Sequence, residues 1–268
     1  MDIRTSRGRF KGIDEGREAH ARGAPALVLL HAFPLSAEAF RADAHALAAD
    51  AWVVAPSLRG FGGSDPFDGP PTIDAMADDV AALLDALEVP VAVVGGLSMG
   101  GYVALAFARR HASRLRGIVL ADTRAEADSS EARSARDAAI ARVEGGDLAG
   151  FVDALLEKLV SPATRAARPE IVERVRAMAL ASSTAAVADA LRALRDRPDA
   201  TADLAGVGVP ALALVGADDV ITPPAVAEAM TKRLPRSTLR VLHGAGHLAN
   251  LEAPEPFRAA VRAFLATV

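Results

Sequence analysis

One serine in the sequence stands in the pattern of an enzymatic nucleophile. Residues 96–100, Gly-Leu-Ser-Met-Gly, fit G-x-S-x-G, in which the serine occupies a tight turn between a strand and a helix. The flanking glycines let backbone pass close to a strained residue, because they carry no Cβ. A serine hydroxyl is a weak nucleophile unless a neighbouring base takes its proton. Ser98 therefore predicts acyl-transfer chemistry, provided that a base and an acid follow elsewhere in the chain.

Candidate partners for this serine follow later in the sequence. Asp218 and Asp219 come directly after an apolar run, where an orienting carboxylate would lie. His243 and His247 come after the next apolar run, and either could serve as the base. Asp122 also follows an apolar run, so the residue types alone leave more than one acid open.

Acyl transfer makes further demands on the backbone. A histidine takes the serine proton and returns it to the leaving group, while a carboxylate fixes the tautomer of the imidazole. The tetrahedral intermediate carries a negative oxygen that backbone N–H groups can stabilise. The N–H groups of Phe33, after a predicted strand, and of Met99, after the serine, are placed to supply that stabilisation.

These residues need a scaffold that collects strand ends at one edge. Short apolar runs predict buried strands at 26–30, 52–55, 91–94, 117–121, 209–215 and 238–242. Helical periodicity and helix-start signals predict helices at 36–49, 72–87, 102–111, 224–234 and 254–265. Alternating strands and helices indicate an α/β protein with a largely parallel sheet, whose chemistry gathers at the carboxyl ends of the strands. The polar, glycine-rich residues 1–24 suggest a short hairpin.

Residues 123–203 interrupt that alternation. This stretch has no convincing strand, and its apolar residues recur at helical spacing between the breaks at 145–146, 161–162 and 169. We expect a small helical cap inserted after the sixth strand, with residues 1–122 and 204–268 forming the core. Ordinary crossover helices are the alternative. The many arginines and glutamates of this stretch are expected to be solvated and to have no catalytic role.

Composition excludes several other kinds of protein. A net charge of -4 and the absence of a basic run give no footprint for nucleic acid. The sequence has no cysteine, which excludes disulfide and thiolate chemistry and is compatible with a reducing cytoplasm. No apolar stretch of the signal-peptide type follows the charged first ten residues. We therefore expect a cytoplasmic enzyme.

Two patterns could be mistaken for other functions. Residues 89–108 contain no charged residue and are long enough to span a bilayer, but Pro90 and four glycines divide them into a strand and a helix. His243 and His247 are separated by glycines and lack an adjacent carboxylate, so we expect neither a metal ion nor a cofactor. The other histidines at 20, 45 and 111 are expected at the surface.

The sequence resembles the α/β-hydrolase superfamily along nearly its whole length. The resemblance rests on LLHAFPL at 29–35, SLRGFGGSD at 57–65, GLSMGG at 96–101, GADDVITPP at 216–224 and GAGHLANLEAPEPF at 244–257. It implies an α/β-hydrolase fold, with a mostly parallel central sheet flanked by helices. His31 would then support the loop that presents Phe33. Ala32 departs from the pattern, since relatives usually carry glycine there, and its methyl group is expected to affect that loop.

The resemblance also chooses among the candidate partners of the serine. In similar enzymes the acid stands at the position of Asp219, rather than Asp218 or Asp122, and the base at His247 rather than His243. The implied catalytic triad is Ser98, Asp219 and His247, with Phe33 and Met99 forming the oxyanion hole.

A serine at this turn also narrows the reaction, because similar dehalogenases and epoxide hydrolases use aspartate there. What remains is hydrolysis of small to medium, largely apolar carboxylic esters or lactones through an acyl-serine. The sequence is most similar to bacterial carboxylesterases and 3-oxoadipate enol-lactonases. The alternatives are a cofactor-free haloperoxidase or perhydrolase, and a ligand-binding receptor with slow turnover.

The expected partner is thus a small-molecule ester or lactone, and the sequence leaves a homodimer open. The residues expected to contact the substrate are Leu35, Leu155, Leu159, Met178 and Leu248. This lining is apolar, although Arg59 or an arginine of the cap could make it suit a charged substrate.

Overall fold

One eight-stranded sheet organises the computed structural model, which describes all 268 residues. The strands are β1 (Asp2–Thr5), β2 (Gly8–Glu15), β3 (Ala26–Leu30), β4 (Trp52–Pro56), β5 (Ala92–Leu97), β6 (Leu115–Ala121), β7 (Ala211–Gly216) and β8 (Ser237–Leu242). Their spatial order is β1-β2-β4-β3-β5-β6-β7-β8. β2 pairs antiparallel with β1 and β4, and every other neighbouring pair is parallel. The prediction of an α/β fold with a mostly parallel sheet is confirmed.

Twelve α-helices connect and cover these strands. They are α1 (Arg17–Ala21), α2 (Arg41–Leu47), α3 (Ile73–Ala86), α4 (Met99–Arg110), α5 (Ser130–Glu144), α6 (Leu148–Leu159), α7 (Pro162–Ala167), α8 (Pro169–Leu180), α9 (Thr184–Arg195), α10 (Pro224–Thr231), α11 (Ala249–Glu252) and α12 (Pro254–Leu265). Short 3₁₀ turns lie at Ala37–Phe40, Ala112–Arg114 and Asp203–Gly206.

The hydrophobic core lies on both faces of the sheet. Along β3, Val28 and Leu30 belong to the apolar cluster that includes α3 and α4 side chains, whereas Leu27 and Leu29 belong to the cluster that includes α2 and α12. Successive side chains of a strand point to opposite faces, so a continuous apolar run indicates a strand covered on both sides. This is why the short apolar runs of the sequence predicted the central strands correctly.

The predicted bounds differ from the structure where glycine or serine governs the turn. β5 begins at Ala92 and continues to Leu97, past two glycines that pair with β3 and β6, while Val91 is 40% exposed. The helix predicted at 36–49 is a 3₁₀ turn followed by α2. Ser36 caps that turn, since its Oγ accepts a hydrogen bond from the N–H of Glu38 at 3.4 Å.

A helical segment, α5 to α9, lies between β6 and β7. Four of its five helices begin at a side-chain cap, supplied by Ser129, Asp147, Ser161 and Ser183. Each cap satisfies an N–H that the first helical turn leaves without a partner. The segment therefore consists of short helices with well-defined starts, as the spacing of apolar residues predicted.

No single helix is both long and apolar enough to cross a membrane; only α8 and α9, taken together as a pair bent by 96°, meet that length and composition. The uncharged residues 89–108 are divided between β5 and α4. Of the histidines expected at the surface, His45 is exposed, whereas His20 packs on Trp52 and His111 lies 2.8 Å from Asp78, and both are half-buried.

Candidate active site

Ser98 lies on the turn between β5 and α4 in a strained backbone conformation. Its φ of 54° is in the left-handed region, which side chains with a Cβ rarely adopt. The surrounding structure holds it there: its N–H donates to the carbonyl of Ala121 at 2.9 Å, and Thr123 Oγ1 donates to its carbonyl at 2.9 Å. Strain of this kind persists only where neighbours over-determine it, and it is concentrated at functional sites.

The two glycines of the turn have no room for a side chain. A Cβ on Gly96 would lie 1.9 Å from the carbonyl oxygen of Gly100. A Cβ on Gly100 would lie 2.0 Å from the carbonyl oxygen of Leu30 in β3. The pattern G-x-S-x-G is therefore a packing requirement of the strand–turn–helix unit, because backbone segments touch at both positions.

The structure brings Ser98 together with the histidine and the acid that the resemblance implied. His247 Nε2 lies 2.8 Å from Ser98 Oγ, and His247 Nδ1 lies 2.8 Å from Asp219 Oδ2. His247 and Asp219 are 1% and 3% exposed. With the proton on Nδ1 donated to the carboxylate, Nε2 is left as the acceptor for the serine hydroxyl. This arrangement can deprotonate a serine.

Several donors hold Asp219 in its ionised form. Its Oδ1 accepts from the N–H groups of Ile221 at 2.8 Å and Thr222 at 3.0 Å, and Thr222 Oγ1 donates to its Oδ2 at 2.5 Å. Burial raises the pKa of Asp219, but the hydrogen bonds and charge of His247 and the bonds from Thr222 outweigh it and lower the pKa to about 2. Asp219 is therefore ionised wherever the protein is folded near neutral pH.

The alternative acids and base lie elsewhere. Asp122 is fully buried and accepts from the N–H groups of Gly216 at 2.8 Å and Ala249 at 3.3 Å, not from His247. Burial, together with the nearby charge of Asp219, raises the pKa of Asp122 well above its usual value. Asp218 and His243 are exposed. Of the three aspartates, only Asp219 bonds to the histidine that reaches the serine.

A buried glutamate that the sequence reading missed supports the histidine loop. Glu252 Oε1 accepts from the N–H groups of Gly246 at 3.0 Å and Leu248 at 3.4 Å, on either side of His247. Its Oε2 accepts from the N–H of Ser161, in the helical segment, at 2.9 Å. The only sequence signal was its place five residues after the histidine, and that place does not identify its partners.

The loop after β3 carries the predicted oxyanion donor. His31 is fully buried, and burial lowers its pKa to about 4, so the ring is neutral at pH 7. Its Nε2 accepts from the N–H of Leu58 at 2.9 Å, and Nδ1 lies 3.0 Å from the carbonyl oxygen of Ala32. The ring thus ties this loop to the one after β4, as expected.

Two backbone N–H groups, at the positions predicted for the oxyanion hole, have no acceptor within the protein. The N–H of Phe33 donates to no group within the protein. Met99 is the first residue of α4, where the N–H has no intrahelical acceptor. Ala32 does not adopt a left-handed conformation and its methyl group packs in the core, so alanine is accommodated there without backbone strain.

A cavity of about 280 Å³ opens at Ser98. It is lined by Phe33, Ser98, Met99, Tyr102, Arg136, Leu155, Lys158, Leu159, Leu194, Val220, Ile221 and His247. Two of the five predicted substrate contacts, Leu155 and Leu159, are in this lining, as are Phe33 and Met99, which were predicted for the oxyanion hole. Three are not: Leu35 and Leu248 are buried in the core, and Met178 packs against the same core cluster. An apolar residue that is close to a site residue in sequence can pack behind the site as readily as it can line the cavity.

Two of the missed lining residues had a signal in the sequence. Tyr102 lies four positions after Ser98, on the same side of α4, and Ile221 lies two positions after Asp219. Arg136 and Lys158 had none, since they are two of many charged residues in the helical segment. The lining is still largely apolar, as expected, and Arg136 is one of the arginines of residues 123–203 that could make it suit a charged substrate. Arg59 is not in the lining, because it is 2% exposed and bonded to Asp79 at 2.6 Å.

Known proteins resemble this chain in sequence and in structure. A family model described as alpha/beta hydrolase fold matches residues 25–254. The chain is 32% identical over 214 residues to 3-oxoadipate enol-lactonase 2 of Acinetobacter baylyi, which covers 80% of this chain and 78% of the relative. It is 35% identical over 242 residues to pimeloyl-(acyl-carrier protein) methyl ester esterase of Aromatoleum aromaticum, over 86% and 94% of the two chains. A thermophilic esterase from Thermogutta terrifontis, solved with malate bound, has 37% identity and a TM-score of 0.93, over 100% of this chain and 98% of the other.

Proposed function

The chain belongs to the alpha/beta hydrolase family. From that premise we propose that it cleaves its substrate with Ser98 as the nucleophile, His247 as the general base and Asp219 as the carboxylate that orients the base. The protein is a carboxylic ester hydrolase that acts on ester or lactone bonds of small molecules. The observation that carries the proposed mechanism is the continuous hydrogen-bond chain from Asp219 through His247 to Ser98, with 2.8 Å at each step. In this chain His247 Nε2 can take the proton of Ser98 Oγ, while Asp219 holds the imidazole through Nδ1.

In the proposed first step, Ser98 Oγ attacks the carbonyl carbon of the ester while its proton passes to His247 Nε2. The carbonyl oxygen becomes negative, and the N–H groups of Phe33 and Met99 stabilise it. The C–O bond to the leaving alcohol then breaks, and His247 gives its proton to that alcohol. Asp219 stays ionised and stabilises the imidazolium. The product of this half-reaction is an acyl-serine.

In the second step, water attacks the acyl carbon and gives its proton to His247. Collapse of the second tetrahedral intermediate releases the acid, and the proton returns to Ser98 Oγ. In a lactone the leaving alcohol stays attached to the acyl chain, so one ring-opened hydroxy acid leaves. The same residues serve both halves of the reaction.

We propose that the helical segment, within residues 123–203, forms a cap over the core made by residues 1–122 and 204–268. It supplies Arg136, Leu155, Lys158, Leu159 and Leu194 to the lining of the cavity. A cavity of about 280 Å³ suits a small to medium substrate.

A cytoplasmic location and a homodimer stay predictions. No observation favours haloperoxidase, perhydrolase or receptor function.

The direct test is the variant Ser98→Ala with p-nitrophenyl acetate as substrate. We expect kcat to fall by roughly 10⁴- to 10⁶-fold, since removal of the nucleophile alone disables a triad. The exposed Ser130→Ala is the matched control and should keep full activity. A fluorophosphonate probe should add its mass to the peptide that contains Ser98. Full esterase activity in Ser98→Ala would refute the proposed nucleophile.

A further inference from the structure

The cavity at Ser98 has an unbalanced charge. Its lining contains two cationic side chains, Arg136 from α5 and Lys158 from α6, and no aspartate or glutamate. The remaining lining residues are mostly apolar. A hydrophobic ester that covered these cations would remove their water and offer no partner in exchange. The two cations therefore call for an anionic group on the ligand.

Arg136 is held in place from behind by a shared carboxylate. Its Nε lies 3.1 Å from Asp128 Oδ2, while Arg197 Nη1 lies 2.7 Å from Asp128 Oδ1. The side chain of Asp128 is 7% exposed, that of Arg197 is 3% exposed and that of Arg136 is 28% exposed. One carboxylate thus serves two guanidinium groups, which leaves a net positive charge.

Arg136 joins this cluster through one nitrogen and also lines the cavity. Only its Nε takes part in a hydrogen bond within the protein, so both terminal nitrogens remain available. Arg197 makes its other bonds to the carbonyls of Leu194 and Glu126, and its guanidinium stacks on Tyr102 with 4.3 Å to the ring centroid. Asp128 and Arg197 therefore fix two lining residues, Arg136 and Tyr102, in position.

Lys158 adds a second unpaired cation. It lies on α6 between Leu155 and Leu159, which line the same cavity. Its neighbour Glu157 pairs with Arg165 instead, and Lys158 forms no ion pair within the protein. Its ammonium is exposed, so its attraction for a ligand is screened by salt more strongly than that of Arg136.

We propose that the preferred substrates are esters or lactones whose acyl part carries a free carboxylate, bound by Arg136 with assistance from Lys158. This inference rests on the proposed function and names its substrate class. The planar guanidinium suits a carboxylate because it can donate two parallel hydrogen bonds. Asp128 is a positioning residue, which orients the guanidinium without touching the substrate.

The experiment compares two substrates that differ only at the end of a five-carbon acyl chain. One is p-nitrophenyl hydrogen glutarate, with a terminal carboxylate, and the other is p-nitrophenyl valerate, with a terminal methyl group. We expect the wild type to prefer the glutarate ester. In Arg136→Gln, kcat/KM for that ester should fall about ten- to hundred-fold, mainly through KM, because a charge-assisted hydrogen bond is lost.

Further variants separate charge from geometry. Arg136→Lys keeps the positive charge but loses the two parallel hydrogen bonds of the guanidinium, so this variant should retain part of the preference for the glutarate ester. Lys158→Gln should lower that preference several-fold at low salt. Asp128→Asn should raise KM for the glutarate ester more than for the valerate ester. Arg133→Gln, on the same helix but 50% exposed and outside the lining, is the matched control and should leave both esters unchanged.

Binding provides a readout that does not require turnover. Glutarate should bind the Ser98→Ala variant in calorimetry and lose at least ten-fold in affinity when Arg136→Gln is added. Equal effects of Arg136→Gln on both esters, or no preference in the wild type, would overturn the anionic subsite and leave the hydrolase intact. Failure of the wild type to hydrolyse either ester, with glutarate binding retained, would count against the proposed function instead. If Arg136→Gln does not fold, Arg136→Lys and Lys158→Gln decide the question.

Discussion

Two buried carboxylates near the active site have opposite tasks. Asp219 faces His247 and Thr222, which stabilise its charge, and its pKa is lowered to about 2. Asp122 is fully buried and has only two backbone N–H partners, so burial and the charge of Asp219 raise its pKa. Both residues follow apolar strands, and their surroundings alone distinguish Asp219, the proposed orienting carboxylate, from Asp122, which has only backbone partners.

Separate asparagine variants test this assignment. Asp219→Asn should lower kcat roughly 10⁴-fold, because the imidazole loses the carboxylate that fixes its tautomer. Asp122→Asn should keep kcat within about ten-fold, since it does not contact His247, and should act mainly on stability through the bond to Gly216 or Ala249. Steady-state kinetics with p-nitrophenyl acetate measures both. Loss of catalysis in Asp122→Asn with little change in Asp219→Asn would reverse the assignment.

The lowered pKa of Asp219 also predicts how stability depends on pH. The folded pKa of about 2 lies below the ordinary value of 3.8, so the ionised group stabilises the folded protein above pH 3.8. That contribution disappears as the pH falls from 3.8 through 2. As the pH falls between these values, the wild type should therefore lose about 2 kcal/mol more of its free energy of unfolding than Asp219→Asn loses. Urea unfolding at a series of pH values measures the difference, and parallel curves would contradict it.

At the scale of elements, the turn between β5 and α4 depends on close backbone contact. Gly96 lies against Gly100, and Gly100 lies against Leu30 of β3. The turn, the helix and the neighbouring strand therefore meet at these two glycines. The serine acquires its strained φ from that packing. The loop after β4 is fixed in a different way, by the buried bidentate ion pair between Arg59 and Asp79 at 2.6 and 2.8 Å.

Alanine at either glycine should disrupt this turn. A Cβ at 1.9 or 2.0 Å from a carbonyl oxygen forces backbone to move, so we expect Gly96→Ala and Gly100→Ala each to lose about 3 kcal/mol or more of unfolding free energy. Gly206→Ala is the control, because a Cβ there would have no atom within 4 Å. Urea unfolding of the three variants provides the comparison. Wild-type stability in Gly100→Ala would show that the backbone contact is looser than described.

At the scale of the whole molecule, the cavity is built jointly by the sheet edge and the helical segment. β5 and β7 deliver Ser98 and Asp219, while α5, α6 and α9 deliver five of the twelve lining residues. Glu252 connects the two parts, because one carboxylate accepts N–H groups from the loop of His247 and from Ser161. The position of the helical segment and that of the loop carrying His247 are therefore coupled.

Removal of that carboxylate should affect both stability and catalysis. Glu252→Ala leaves three buried N–H groups without an acceptor, and we expect a loss of about 3 kcal/mol or more together with a lower kcat. Glu255→Ala is the control, since its carboxylate is 83% exposed and makes only a surface pair with Arg258. Thermal unfolding and kinetics on p-nitrophenyl acetate measure the two effects. An unchanged kcat in a folded Glu252→Ala variant would show that Glu252 does not help to position His247.

The sequence by itself determined the strand order along the chain, the serine turn and the candidates for its partners. These depend on local rules: which residues a turn tolerates, how apolar positions repeat, and which residue follows a strand. Ser98 and the candidate acids Asp122, Asp218 and Asp219 were found in this way, because each follows an apolar run, whereas the choice of Asp219 came from the family resemblance. Fold class followed from the alternation of strands and helices.

Only the tertiary structure decided which side chains line the cavity at Ser98. Leu35 and Leu248 are buried behind the cavity, whereas Arg136, Lys158 and Tyr102 line it. Periodicity shows which face of a helix is apolar, but not which neighbour that face meets. The direction of a side chain in α5 or α6 is set by how those helices pack on each other and over the sheet, through contacts between residues far apart in the chain. The charge of the cavity therefore emerged from packing, while the serine proposed as its nucleophile was already evident in five consecutive residues.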